Sequence, residues 1–326
     1  MQPHSPFLVL ALASSAAFGA AQDPYQVADL VPGIGSGSPS RVVDMGPFVV
    51  FRARDGVHGF ELWRSDGNEA GTVLLLDVWP GPDDGVWIDP VGSGGLVYFR
   101  GAQPATGGEL WRSDGTTAGT VLVADVWPGA GGSLPDELTD VGGRLFFTAQ
   151  DPMHGVEVWT LDGSGQPVPT VDVFPGTQGS APRELTPFAG ELYWTAMDAP
   201  GNLELWRSDG LVASKVREIH PGTGSVPAHM TVSGGALFFS ANDGLRGTEL
   251  WKTDGTAGGT VLVADIRPGP EGSSIDHLTD VDGTLFFVAD DGVSGQELWK
   301  SDGTPGGTAL VTDFIPGAPG SQINSI

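Results

Sequence analysis

The chain has 326 residues, and 40 Asp and Glu against 15 Lys and Arg give it a formal net charge of −25. This charge repels phosphate backbones and anionic membranes, so the composition argues against nucleic-acid binding. The absence of Cys excludes a disulfide framework, thiolate metal sites and a lipid-modified cysteine.

The chain opens with an apolar run from Phe7 to Ala21 that ends in small residues. The run is shorter than the ~20 residues that a membrane-spanning helix needs. It therefore predicts a secretory signal peptide at residues 1–21, with cleavage after Ala21. We expect a secreted, extracellular or periplasmic protein without membrane insertion, in which residues 22–326 form one domain.

The remainder repeats a unit that is clearest at residues 109–129, which read ELWRSDGTTAGTVLVADVWPG. The Trp of the ELW triplet returns every 45 to 48 residues, and an acid-x-x-Pro-Gly corner returns with a similar spacing. Self-similarity at such a period indicates a solenoid, a propeller or an array of units.

The residue pattern of each unit predicts four strands. The third unit has a short strand at Leu138–Val141 and then Leu145–Ala149, which is apolar at successive positions as in a strand buried on both faces. The ELW strand follows, and after it a Ser-Asp-Gly turn in which Asp can bond the backbone two residues on. The fourth strand, at Val121–Val126 in the second unit, ends at the Pro-Gly corner.

Four strands and no helical periodicity in each unit predict an all-β fold, a β-propeller of about six four-stranded blades. Six complete sets are present, with surplus strands predicted at Gln26–Val31 and Ile323–Ile326. These surplus strands leave an incomplete seven-bladed ring or a truncated array as the alternative.

Four copies of a twelve-residue motif, at residues 61–72, 109–120, 249–260 and 297–308, make the chain resemble the secreted bacterial ELWxxDGT-repeat proteins, sometimes labelled hyalin-like. The resemblance covers nearly all of the chain after residue 21. It implies an exported, propeller-like repeat protein in a family to which no enzymatic activity is assigned.

Three residue types recur once per unit and are candidates for chemistry. Paired carboxylates can cleave glycosidic bonds, and indoles can stack on sugars. A residue that every blade carries is better explained by a need that every blade shares, so we predict structural roles in turns, blade-to-blade hydrogen bonds and the core. The positions are Glu61, Trp63, Asp66, Glu109, Trp111, Asp114, Glu157, Trp159, Asp162, Glu204, Trp206, Asp209, Glu249, Trp251, Asp254, Glu297, Trp299 and Asp302. No catalytic residue is predicted.

Basic residues follow the ELW Trp in five of the six units. We expect each to pair with a blade acid, for example Asp77, Asp125 or Asp265 of the Pro-Gly corner, in exposed pairs that contribute only ~0–1 kcal/mol. The positions are Arg64, Arg112, Arg207, Lys252 and Lys300.

One loop departs from the repeat and is the candidate ligand site. Residues 81–87, GPDDGVW, replace the usual G-x-x-G-S-x-P and place Asp83 and Asp84 beside an extra indole, Trp87. Acidic groups near an exposed aromatic ring suit a sugar or a cationic ligand.

Calcium is the one cofactor that the sequence suggests. The loops Asp151–Gly155, Asp243–Gly247 and Asp290–Gly295 offer carboxylate and carbonyl oxygens, although none has the spaced acidic pattern of an EF-hand loop. We predict at most weak calcium sites that stabilise the blades.

Three functions are compatible with these observations. The first is a non-enzymatic binding or scaffold propeller for an extracellular or cell-surface protein or glycan. The alternatives are a secreted carbohydrate-active enzyme on a propeller scaffold and a purely structural surface or matrix component. We expect a monomer in each case.

Overall fold

A computed structural model describes residues 26–32, 35–317, 320–321 and 323. The predicted signal peptide at residues 1–21 lies outside the described residues. Within them the chain forms 24 strands, and its only helical segments are two single 3₁₀ turns, Glu69–Gly71 and Pro305–Gly307. In this part of the chain no helix has the length and apolar composition of a membrane span.

The first three sheets each contain four consecutive strands. The first is made of β1 (Ser40–Asp44), β2 (Val49–Ala53), β3 (Glu61–Ser65) and β4 (Val73–Leu76). The second is made of β5 (Val91–Ser93), β6 (Leu96–Gln103), β7 (Gly107–Ser113) and β8 (Val121–Leu122). The third is made of β9 (Asp136–Val141), β10 (Arg144–Asp151), β11 (Gly155–Leu161) and β12 (Pro167–Pro169).

The last three sheets repeat this plan. The fourth is made of β13 (Arg183–Phe188), β14 (Glu191–Met197), β15 (Leu203–Ser208) and β16 (Ala213–Arg217). The fifth is made of β17 (Ala228–Ser233), β18 (Ala236–Asn242), β19 (Thr248–Thr253) and β20 (Val261–Ala264). The sixth is made of β21 (Asp276–Val281), β22 (Thr284–Asp290), β23 (Gln296–Ser301) and β24 (Ala309–Thr312).

The predicted fold class is confirmed. Each sheet is an antiparallel meander whose strands pair in sequence order, and the described residues contain six such blades, as in a six-bladed β-propeller. The surplus strand predicted at Gln26–Val31 is wrong, because these residues form bends without ladder pairing. Of the surplus strand predicted at Ile323–Ile326, all but Ile323 lies outside the described residues.

The chain divides into two compact units. One runs to Pro152 and includes Leu161–Val168, and the other contains Met153–Thr160 and the residues from Pro169 onward. In the first unit the apolar faces of the first two blades share a core around Leu62, Phe99 and Trp111. In the second unit the same kind of core joins the fourth blade to the fifth, and the fifth to the sixth.

The second strand of each blade is buried on both faces, as its run of apolar residues predicts. Phe146 and Phe147 in β10 point to opposite faces, and each is 1% exposed. Such a strand is covered on both faces of its sheet, because a sheet with one solvent-exposed face would show an alternating pattern.

The first and fourth strands differ from the sequence-based expectation. β8 ends at Leu122 rather than Val126, although the amide of Val123 still donates to the carbonyl of Leu110 at 2.9 Å. The first strand carries a bulge in five blades, next to a residue in the left-handed region, such as Glu137 at φ 48°. In the second blade, Pro90 lies one residue after the position that corresponds to this left-handed residue. The first strand of this blade, β5, is only three residues long.

Candidate functional site

The six repeated glutamates are fully buried, each in the third strand of its blade. Glu109 shows the common pattern, since it accepts hydrogen bonds from the amide of Trp127 at 3.1 Å and from the amide of Ser133 at 2.8 Å. The hydroxyl of Ser133 donates to the same carboxylate. Ser133 lies on the connection that leads to the next blade, so the glutamate fastens this connection to its own sheet.

Burial dominates the titration of five of these six glutamates and raises their pKa. Desolvation raises the pKa of Glu61, Glu157 and Glu249 to about 7, although backbone amides that donate to the carboxylates act in the opposite direction. In Glu297 the donated bonds from Ser321 and Phe314 outweigh desolvation, and the pKa is lowered. The same side chain in the same repeat position therefore titrates differently in different blades.

The repeated aspartates are exposed and serve the turn after the third strand. In all six blades the Oδ1 atom accepts from the amide two residues further on, as from Thr116 to Asp114 at 2.9 Å. These donated bonds lower the pKa of Asp114, Asp162, Asp254 and Asp302. The geometry is the turn chemistry that the Ser-Asp-Gly pattern suggests.

The repeated tryptophans lie in the blade cores. The indoles of Trp63, Trp111, Trp159 and Trp251 are buried, and those of Trp206 and Trp299 are partly buried. The Nε1 of Trp63 donates to the carbonyl of Ala53 at 3.0 Å. Because these rings are covered by neighbouring strands, they do not present a face to a sugar.

The expected pairing of Arg64 with the corner acid Asp77 is wrong. Its guanidinium lies 4.1 Å from the ring centroid of Phe48 and donates to the carbonyl of Gly115 in the next blade at 3.2 Å. The carboxylate of Asp77 instead lies 3.9 Å from the imidazole Nε2 of His58. The side chain of Arg64 contacts the turn of the next blade and not the Pro-Gly corner of its own blade. Arg64 therefore connects two blades.

The three candidate ligand residues lie together on the connection between β4 and β5. The connection is fixed by backbone bonds, with the amides of Gly85 and Val86 donating to the carbonyl of Phe60 at 3.1 and 2.8 Å. The amide of Trp87 donates to the carbonyl of Arg100 at 3.1 Å, so the connection is tied to the first blade and to the second.

Side chains hold the same connection. The Oδ1 of Asp84 accepts from the amide of Phe60 at 2.8 Å, and the indole Nε1 of Trp87 donates to the carbonyl of Asp84 at 2.7 Å. Gly59 packs so closely that a Cβ there would lie 2.2 Å from the carbonyl oxygen of Asp83. The loop is therefore ordered before any ligand arrives.

This connection differs from the others in the residue that faces the repeated glutamate. In the other five blades a serine hydroxyl donates to the repeated glutamate, but Gly85 takes that place in the first blade. A Cβ at Gly85 would lie 2.2 Å from Oε1 of Glu61. The carboxylate of Glu61 therefore occupies the space that a side chain at residue 85 would need, and only glycine fits there.

The connection borders a pocket of about 480 Å³ that we call the crossover pocket. Its lining residues are Arg52, Trp79, Asp83, Asp84 and Trp87. The indole of Trp87 is 51% exposed, which is unusual beside the buried tryptophans of the repeat. The structure thus brings Asp83, Asp84 and Trp87 together and adds a second indole and a guanidinium that sequence reasoning missed.

Arg52 is held against the floor of this region. Its guanidinium lies 3.7 Å from the ring centroid of Phe60, and its Nε donates to the carbonyl of Val86 at 2.8 Å. Burial lowers the pKa of Arg52, while the nearby carboxylates of Asp84 and Asp89 raise it. An arginine nevertheless stays protonated in a protein, so the pocket contains a fixed positive charge.

A signal for Arg52 was present in the sequence. At its position in the second strand the third to sixth blades have Thr148, Thr195, Ser240 and Val288, and only the first two blades have arginine. Arg52 and Arg100 lie on the two strands that flank the aberrant connection, and the guanidinium of Arg100 is 5.8 Å from the ring centroid of Trp87. A search for residues that break the repeat in neighbouring units would have found them.

Among the described residues, no three Asp, Glu or His side chains lie together as a metal site would require. In the loop Asp243–Gly247 the Oδ1 of Asp243 accepts from the amides of Leu245 and Arg246, both at 2.9 Å. Its other oxygen pairs with the Arg246 guanidinium. Weak calcium binding stays a prediction.

Comparisons with known proteins give a fold and no family. No family model and no curated protein matches the chain. Among solved structures, a puromycin hydrolase mutant in a complex has a TM-score of 0.44 at 18% identity, over 94% of this chain and 49% of that one. A structure from an analysis of two prolyl endopeptidases has a TM-score of 0.46 at 13% identity, over 84% and 42% of the two chains.

A third structure, the Pyrococcus horikoshii acylaminoacyl peptidase, has a TM-score of 0.43 at 10% identity, over 85% of this chain and 45% of that one. The chain spans about half the length of these proteins or less. Likeness at such low identity describes the fold and transfers no activity.

The prediction of a non-enzymatic binding or scaffold protein is wrong. The solved structures that the chain resembles are a puromycin hydrolase and prolyl endopeptidases. The prediction rested on the resemblance to a repeat family without an assigned activity and on the structural roles given to the repeated residues. A residue that recurs in every blade indicates a structural requirement of the blade. Residues that bind a ligand are those that differ between blades.

Proposed function

We propose that the chain recognises an organic ammonium ligand in the crossover pocket. The observation that carries this proposal is the meeting of two indoles, Trp79 and Trp87, with two carboxylates, Asp83 and Asp84, in one pocket of about 480 Å³. Enzymes and binding proteins both use pockets of this size, typically ~300–1,000 Å³, to hold small molecules.

The aromatic residues favour a cation over a neutral ligand. The faces of indole rings attract ammonium groups with about 0.5–2 kcal/mol, depending on how far the cation is desolvated. Because the repeated Trp residues are buried in the blade cores, the half-exposed Trp87 is set apart as a ring that a ligand can reach. Its Nε1 already donates to the carbonyl of Asp84, which fixes the orientation of the ring.

The carboxylates add an electrostatic attraction to that of the indole rings. Both carboxylates are exposed, and an ion pair between exposed groups contributes about 0–1 kcal/mol. Asp83 and Asp84 together exceed the one positive charge of Arg52, so the pocket lining has a formal charge of −1. The net charge of −25 on the whole chain also concentrates cations around it.

The ordered loop lowers the entropy cost of binding. The backbone bonds to Phe60 and Arg100 hold residues 85–87 in place, and the Asp84 carboxylate is held by the amide of Phe60. A site that needs no rearrangement spends less of its contact energy on ordering the protein. This matters most for a small ligand that makes few contacts.

The test is calorimetric titration with choline and with L-alaninamide, two cations that lack a carboxylate. We expect binding to the wild type and at least about a tenfold weaker Kd, or about 1.4 kcal/mol, for Trp87→Ala and for the double variant Asp83→Asn, Asp84→Asn.

Trp79→Ala should weaken binding in the same way, and its matched control is Trp127→Ala, which alters the equivalent residue of the next blade. Glu271→Gln is the control for the aspartates, because Glu271 is the equivalent of Asp83 in the fifth connection. Equal effects in the controls, or no binding to the wild type, would refute the proposal.

A further inference from the structure

Two arginines occupy equivalent positions in the first two blades, but they have different partners. Arg100 donates through Nη1 to the carbonyl of Pro135 at 3.4 Å and has the carboxylate of Asp136 at 3.9 Å. Ile88 has the same position relative to Arg52 that Asp136 has relative to Arg100. Arg52 therefore lacks the carboxylate that its counterpart pairs with.

The guanidinium of Arg52 lies over Phe60, but its terminal nitrogens donate no hydrogen bond to a described residue. Within the described residues only its Nε atom donates, to the carbonyl of Val86 at 2.8 Å. Asp89, which acts on Arg52 electrostatically, accepts from the hydroxyl of Ser40 at 2.6 Å and makes no ion pair with Arg52. These nitrogens are not buried, and Arg52 lines the pocket, so a ligand there can accept their hydrogen bonds.

Asp83 and Asp84 contribute the negative charges of the pocket. The carboxylate of Asp84 uses Oδ1 for the amide of Phe60, and the described residues provide no ion-pair partner for either aspartate. The pocket thus has unpaired groups of both signs, and a ligand that pairs them all must carry both signs itself.

Building on the proposed function, we infer that the ligand of the crossover pocket is a zwitterion. Its carboxylate binds the terminal nitrogens of Arg52, and its ammonium group lies near Asp83, Asp84 and the two indoles. A carboxylate fits the planar guanidinium fork through two parallel hydrogen bonds. A phosphate dianion would meet stronger repulsion from the two aspartates, so the structure favours a singly charged anion.

The first test changes the ligand and leaves the protein intact. Calorimetric Kd values are compared for glycine betaine and its methyl ester, and for L-alanine and L-alaninamide. Each pair keeps the ammonium group and differs in the carboxylate. We expect the zwitterion of at least one pair to bind about tenfold more tightly than its partner, or about 1.4 kcal/mol.

The second test changes Arg52. Arg52→Gln should remove the preference for the zwitterion without weakening the binding of the cationic partner. Arg54→Gln should leave the preference unchanged, because Arg54 also lies over Phe60, at 5.2 Å from the ring centroid, but does not line the pocket. A melting curve of Arg52→Gln checks that the variant is folded, and Arg52→Met, which also lacks the charge, is used if it is not.

The outcomes separate the two proposals. Equal affinity of the two members of each pair for the wild type would overturn the zwitterion and leave the ammonium proposal standing. Failure of all four compounds to bind would overturn both. A preference for the zwitterion that survives Arg52→Gln would also overturn the assignment of its carboxylate to Arg52.

Discussion

At the scale of single residues, the buried glutamate of each blade balances two large effects. Taking a carboxylate out of water favours its neutral form, whereas two amides and a hydroxyl that donate to it favour the charged form. Burial prevails in Glu157, whose pKa is raised to about 7, and the donated bonds prevail in Glu297, whose pKa is lowered. Both residues accept from a serine amide and a serine hydroxyl, so they form a matched pair.

Glu157→Gln should flatten the dependence of stability on pH. The folded-state pKa of Glu157 lies above the ordinary value of 4.5, so the folded protein binds more protons than the unfolded chain between about 4.5 and 7. Stability from this group is complete below the unfolded pKa and is lost as the pH rises through the folded pKa, at up to about 1 kcal/mol per pH unit. Melting temperatures from pH 4.5 to 8 measure the effect.

The control for this prediction is Glu297→Gln. The pKa of Glu297 is lowered, so its contribution is present above the unfolded pKa and changes only at more acidic pH. This variant should keep the wild-type slope above pH 5. His58, whose raised pKa also favours acid pH, is common to all three proteins and cancels in the comparison. Parallel curves for wild type and Glu157→Gln would contradict the account of burial.

At the scale of elements, the connection from one blade to the next depends on a glycine with positive φ. Gly132 has φ 73°, and a Cβ there would lie 2.4 Å from the amide nitrogen of Gly108 at the start of the third strand. Equivalent glycines with φ between 69° and 74° occur in four later connections, at Gly179, Gly224, Gly272 and Gly320. The connection must touch the strand for its serine to reach the glutamate.

Gly132→Ala should destabilise the protein by about 1–3 kcal/mol, because the new side chain meets backbone atoms and the residue must stay in the left-handed region. Its neighbour Gly131 has open space around the Cβ position and no positive φ, so Gly131→Ala is the matched control and should change stability little. Urea unfolding measures both. Similar midpoints for the two variants would show that the connection shifts freely.

The elements also show what the sequence could and could not predict. The buried second strand and the Ser-Asp-Gly turn depend on neighbours in the chain, so patterns such as Leu145–Ala149 predicted them correctly. The short β8 and the bulge beside Glu137 depend on how a blade edge twists, which local patterns do not encode. Asp83, Asp84 and Trp87 were found because they break the repeat, whereas Arg52 lies some 30 residues earlier and needed the fold to bring it to the pocket.

At the scale of the whole molecule, 40 acidic residues face only 15 Lys and Arg. Ion pairs such as that of Lys215 with Asp198, at 2.7 Å, use part of this charge, and the excess repels itself. Salt weakens the pairs and the repulsion alike, over a screening length of about 10 Å at 0.1 M. Because the unpaired acids outnumber the pairs, the repulsion between acids is stronger than the attraction within the pairs.

The melting temperature should therefore rise by a few degrees as NaCl is increased from about 20 to 300 mM. One kcal/mol moves the midpoint by roughly 2–4 °C in a domain of about 150–250 residues and by less in a longer one. A fall with salt would mean that local ion pairs outweigh the repulsion.

CaCl₂ at matched ionic strength separates screening from site binding. An additional rise in calcium that Asp243→Asn abolishes would assign the loop Asp243–Gly247 as one of the predicted calcium sites, because site binding, unlike screening, depends on individual oxygen ligands.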